Sequence, residues 1–286
     1  MFDYPIVRRF DTKGERGYEL VREEMGPLLA GTGDIKTVKL KHINENLALL
    51  PGDIRLSGIE DDLNSNWSDC ITGNEQAFRF ISAFWRMTQG AAEEFAADIV
   101  LINVGPNLGA LNRAALICAE FVVVPLAPDL YSLQGLGNLG PTLRKWRHEW
   151  KQRLTVSNLD WHLSLPTGKM SPIGYVVLQH AMRTDRPVLT YSKWMACIPS
   201  TYAKHVLDSE FDPDSVRVVT DDNCLALLKN YRSLMPLSEE ARRPMFLLRA
   251  ADGAIGGHAK AVQDCYTDFQ ALAREIDEHS ASLKAP

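Results

Sequence analysis

Cysteine is scarce in this chain of 286 residues: there are five, at positions 70, 118, 197, 224 and 265, far apart and odd in number. None forms a C-x-x-C pair, so neither a disulfide framework nor a cysteine-based zinc site is indicated. Cys118, inside the apolar run "LNRAALICAEF", and Cys265, on the apolar stripe of the last helix, read as small buried hydrophobes. Long apolar runs are absent too. No window reaches the roughly 18 residues that a membrane span requires, and "MFDYPIVRRFDTKGERG" at the start has no apolar signal core, so the expectation is a cytoplasmic protein without a membrane partner. Positive charge is not in excess: 31 Lys and Arg against 36 Asp and Glu leave a formal net charge of −5. The field of the whole molecule therefore does not favour nucleic acid, although a local basic patch still could. There is no internal repeat, no low-complexity tract and no Ser-His-Asp or Cys-His spacing of note. "HINEN" lacks the spacing of metal ligands.

What is there is an ordinary globular balance, 45% hydrophobic and 23% charged, with room for one large domain or two small ones. Several segments read as buried strands: "NLALLPG" (46–52), "DIVLINV" (98–104), "FVVVPLAP" (121–128) and "PIGYVVLQH" (172–180). They are continuous apolar runs rather than alternating ones. Between them lie stretches with helical spacing. "AFRFISAFWRMTQGAAEEFA" is one; "LNRAALICAE", "SLQGLGNLGPTLRKWRHEWKQR" and the C-terminal "DCYTDFQALAREI" are others. This rhythm predicts an α/β fold: a mostly parallel, doubly wound sheet with helices on both faces. Ligands then sit beyond the carboxyl ends of the strands, where "NVGPNLG" and "PLAPDLYS" fall. "KQRLTVSNLDWHLSLPTGKMSP" (151–172) and the acidic "SEFDPDSVRVVTDD" (209–222) read as exposed excursions, and "GTGD" (31–34) as a plain turn.

Five of these segments, in order, resemble the ParA/MinD family of partitioning ATPases, P-loop proteins with a deviant Walker A motif. "ENLALLPGDIRLSGIEDDL" is similar to the family's n-L-x-L-i-P…L-x-x-x-E-x-x-L stretch. "ADIVLINVGPNLGALNRAAL" is similar to its Walker B strand and switch, and "AEFVVVPLAPDLYSLQGLGNL" to the strand and helix that follow. "PIGYVVLQHAMR" and "MACIPSTYAKHVLD" resemble two later segments, the second flanking the base. The likeness runs from about Gly17 to the C-terminus. It implies a P-loop NTPase-like fold, ATP with Mg²⁺ as cofactor, dimerisation with itself or a paralogue, nonspecific DNA binding and a role in bacterial plasmid or chromosome partitioning. The expected organisation is an atypical segment, residues 1–16, followed by a single domain over residues 17–286.

The chain departs from the family where the chemistry lies. A phosphate loop uses glycines to wrap backbone N–H groups round the phosphates, a lysine to neutralise them and a Ser or Thr hydroxyl on Mg²⁺. No Gly-Lys-Ser/Thr occurs here. The nearest pattern is Lys13, Gly14 and Gly17 in "KGERG", followed by Tyr18 and Glu19, of which one cannot neutralise phosphate and the other repels it. A chance polar loop is the preferred reading. The family's second strand, with its aspartates, has no counterpart, so front strands of the sheet are expected to be missing. Where the Walker B strand ends in aspartate, this chain has Asn103: the same shape without the charge that retains Mg²⁺. The resemblance implies weak or absent hydrolysis and, if a nucleotide binds, Asn103, Gly105, Pro106 and Pro199 beside it, with Asn103 as the metal-facing residue. Lys13 could act in trans on a full-length paralogue, and a truncated, non-functional product is a further alternative.

One basic cluster stands out: Arg144, Lys145, Arg147, Lys151 and Arg153 in "RKWRHEWKQR". Phosphate contacts need only such charge, but a solvated basic helix end, favoured by the helix dipole, is the preferred reading. Trp146 and Trp150 have the i, i+4 spacing of core residues. His180 falls at a strand end, where ligand-facing residues sit.

Overall fold

The computed structural model describes residues 21–180, 182–183, 186–187, 189–209 and 217–283. The "KGERG" residues Lys13, Gly14 and Gly17 lie outside them, as does the side chain of His180. The chain divides into two compact units. Within the described residues, one holds 21–120 and 142–170, and the other 121–141 and 171–283. Among the described residues the chain crosses between them three times, at 120–121, 141–142 and 170–171.

The second of these units carries the sheet. Strands β3 (Phe121–Leu126), β4 (Ser171–His180) and β5 (Cys224–Lys229) lie in that order, all parallel, Val124 pairing with Tyr175 and Val177 with Leu227. Alternation along β4 sends neighbours to opposite faces. Tyr175 meets the ring of Tyr202 at 5.0 Å, at the end of helix α6 (Leu189–Tyr202). Val176, with Leu225 and Leu228, packs against Phe269, Leu272 and Ile276 of helix α8 (Gly257–Ser282). Both faces are therefore covered by helices, as a parallel sheet of apolar strands requires, and the α/β expectation holds. A satellite core of Tyr231, Leu234, Met245, Leu248 and Cys265 sits between helix α7 (Leu234–Ala241) and α8.

The other unit is mainly helical. It contains α1 (Glu60–Asp69), α2 (Glu75–Ile81), α3 (Ala83–Phe95), α4 (Ala110–Leu116) and the second half of α5 (Leu130–Leu154). Asn74 starts α2 by accepting the Ala77 N–H at 3.2 Å. The core is aromatic: Trp150 is fully buried, stacked on Trp67 at 5.7 Å and tilted against Phe78 at 5.9 Å. Its indole N–H donates to the Pro166 carbonyl at 2.8 Å. The stretch read as a surface excursion is thus tied down, and Met170 at its end is buried. Trp146 and Trp150 are core residues, as their spacing predicts, and Cys118 and Cys265 are buried.

Three strand and loop expectations change. "NLALLPG" forms β2 (Leu47–Leu49), paired antiparallel with β1 (Lys41–Asn44) in a two-stranded hairpin rather than in a parallel sheet. "DIVLINV" pairs with no strand among the described residues; Ile99 and Leu101 are 65% and 85% exposed. An apolar run becomes a strand only where a neighbour takes its N–H and C=O groups. Within the acidic segment, Asp221 is buried rather than exposed. Its carboxylate accepts from the Tyr175 hydroxyl at 2.6 Å and from Asn223 N–H at 3.0 Å.

Candidate functional site

The stretch that follows the "DIVLINV" run is a loop, Asn103–Gly109, which delivers the chain into α4. Three side chains fix it. Asn112, buried on the first turns of α4, donates through its amide nitrogen to the carbonyls of Gly105 and Asn107, both at 2.6 Å. The Asn107 carboxamide accepts the Gly109 N–H at 3.1 Å. Glu60, first residue of α1, accepts from the Ala110 and Leu111 N–H groups at 2.7 and 3.2 Å, satisfying donors that a helix start leaves open. A Cβ at Gly109 would come within 2.9 Å of the Glu60 carboxylate, so a side chain there would push that carboxylate off the helix start.

Asn103, Gly105 and Pro106 are exposed along this loop. Pro199 belongs to the sheet-bearing unit, buried inside α6. Among the described residues the donor set does not fit Mg²⁺. Asn103 offers a neutral amide, and no three His, Cys, Asp or Glu side chains converge as metal ligands among the described residues. The α4 N–H groups nearest the loop are already engaged by Glu60.

The basic helix end divides into two kinds of residue. Arg147 donates to the carbonyls of Lys169 and Met170, each at 2.8 Å, and burial pushes its guanidinium pKa down. Arg153 is 7% exposed, donating to the Trp67 carbonyl at 2.7 Å and the Glu149 carbonyl at 2.9 Å. These two arginines tie the helix down. Lys145 and Lys151 are exposed and Arg144 half-buried, and Lys145 stands 3.9 Å from Glu149.

Sequence reasoning missed Asn112, Arg113 and Trp67. Arg113, on α4, donates to the Asn64 carboxamide at 3.0 Å, and its guanidinium carbon lies 4.3 Å from the Trp67 ring centroid. The Arg153 guanidinium carbon lies at the same 4.3 Å. Burial pushes Arg113 down to about 10, with Glu149 opposing and Arg153 adding. Arg113 and Arg153 lie 46 and 86 residues from Trp67 in sequence, beyond any local pattern; Glu60 alone carried a signal, as the glutamate of "GIEDDL".

Residues 12–156 match the model of a family described as an AAA domain. Protein IncC of Escherichia coli is 26% identical over 144 residues, 49% of this chain and 36% of IncC. A ParA family protein of Chlamydia pneumoniae is 27% identical over 117 residues, 41% of this chain and 42% of that protein. The uncharacterized protein Rv1708 of Mycobacterium tuberculosis is 28% identical over 142 residues, 50% of this chain and 41% of its own length. This chain thus spans about two-fifths of the curated relatives it matches. The crystal structure of protein DIP2308 from Corynebacterium diphtheriae aligns with a TM-score of 0.55 at 20% identity, over 78% of this chain and 73% of that one, a likeness of fold.

Proposed function

From the premise that this chain belongs to the ParA/MinD-like family of P-loop proteins, we propose that it is a member that has lost ATP hydrolysis and works as a binding partner in partitioning. One observation carries this reading: the position that ends the Walker B segment is Asn103, in a loop held by Asn112 and Glu60. A neutral amide cannot supply the charge that holds Mg²⁺ against a triphosphate. The absence of a Gly-Lys-Ser/Thr sequence supports the same conclusion. On this reading the chain dimerises with itself or with a full-length ParA-like paralogue, and Lys13 acts across that interface.

Exposed Lys145 and Lys151, with Arg144, provide nonspecific contacts to DNA phosphates. Three experiments test the reading. Phosphate release with Mg·ATP should stay at the blank for the chain alone; turnover would contradict it. Duplex-DNA affinity should fall for Lys145→Glu/Lys151→Glu, with the salt slope reduced by about 2. An unchanged slope removes DNA from the proposal. Charge reversal at Lys13 that leaves a paralogue's activity untouched removes the trans role.

A further inference from the structure

We propose that Trp67 is a positioning residue that links the loop Asn103–Gly109 to the basic end of α5. The consequence for function rests on the reading above; the link itself rests on geometry. It has three joints, all within one unit. First, α4 is fastened to α1 at its start by Glu60 and at Arg113 by Asn64 and the Trp67 ring. Second, the loop is fastened to α4 by Asn112, the residue next to Arg113. Third, Trp67 is fastened to α5: its indole N–H donates to Glu149 at 3.1 Å, its carbonyl accepts from Arg153 at 2.7 Å, and its ring stacks on Trp150.

One indole therefore receives two guanidiniums, one from the helix that holds the loop and one from the helix that carries Lys145 and Lys151. A ring with two cations at 4.3 Å is also an electrostatic meeting point. The arginines repel each other, and the ring and Glu149 offset that repulsion. A shift of one guanidinium alters the balance felt by the other. Trp67 and Arg153 are buried and Arg113 and Glu149 half-buried, so solvent screens these terms less than it would at the surface. An anion drawn to the basic helix end would be felt at the loop, and rearrangement of the loop would be felt at the helix end. No part of this requires hydrolysis.

The test is native-state hydrogen exchange on the full chain, comparing wild type with Arg153→Gln, Trp67→Leu and Trp67→Phe. Arg153 touches Trp67 but belongs to a different helix from the loop's own fastenings. The amides read are Gly109, Ala110 and Leu111, bonded to Asn107 and Glu60; the α8 amides, which belong to the other unit, are the control. Arg153→Gln and Trp67→Leu should speed exchange at the three amides by roughly two- to thirtyfold, the span of a lost cation–π contact, with α8 unchanged. Trp67→Phe, which keeps a ring, should restore most of the protection. If Arg153→Gln leaves the three amides as they were, or speeds α8 equally, the link is overturned and the cluster is packing alone. A chain that hydrolyses Mg·ATP but gives the expected exchange pattern retains the link and loses the proposed function.

Discussion

Asp34 is held between two arginines: Arg79 at 2.7 Å and Arg86 at 2.8 Å, with the Ile35 N–H at 2.8 Å. Partial burial alone would raise its pKa, but the Ile35 N–H and then Arg86 and Arg79 outweigh it, and the carboxyl sits below its ordinary value. A depressed folded pKa contributes stability that is complete above the unfolded pKa, about 4, and is lost as pH falls through the folded value. Asp34→Asn should therefore be less stable than wild type near neutral pH in urea titrations, and the gap should close as pH drops below about 4. A gap that is constant with pH would mean that packing, not charge, is at work there. Tyr175 and Asp221 form a buried pair of another kind. Burial, reinforced by the Asp221 carboxylate, drives the tyrosine hydroxyl far above its usual range, so it stays a donor. Tyr175→Phe leaves Asp221 short of a partner and should cost about 1–3 kcal/mol of unfolding free energy.

At the scale of elements, α5 approaches the segment Ala203–Leu207 so closely at Gly140 that an added Cβ would collide with the His205 carbonyl. Backbone cannot yield as a side-chain tip can, so Gly140→Val should destabilise by more than about 2 kcal/mol and lower the yield of soluble protein. Wild-type stability in that variant would mean that the two segments can part. Elements such as β3, β4, α5 and α8 were legible in the sequence because long apolar runs and helical stripes survive in any context that buries them. "DIVLINV" has the same composition, yet pairs with nothing among the described residues, because pairing depends on a neighbour the run itself does not encode. β5 escaped notice because "CLALLK" is short and follows an acidic stretch that reads as loop. At the candidate site, Asn103 was legible through its place in a known pattern. The Arg113–Trp67–Arg153 cluster was not, because its members meet only after three helices have packed.

At the scale of the molecule, net charge and local charge diverge. The chain carries −5 overall, while Lys145 and Lys151 project from one helix end, so any DNA binding must be short-ranged and strongly salt-dependent. No helix among the described residues is long and apolar enough to cross a membrane. On the reading proposed above, this chain lacks the charges with which its family binds and splits ATP. Equilibrium titration of purified protein with Mg·ATP, run beside Asn103→Asp, tests it most directly. No saturable binding is expected of wild type, and none of the variant, since one carboxylate does not replace a missing phosphate loop. Micromolar binding by wild type would contradict it, and would mean that residues 1–20 supply a phosphate site.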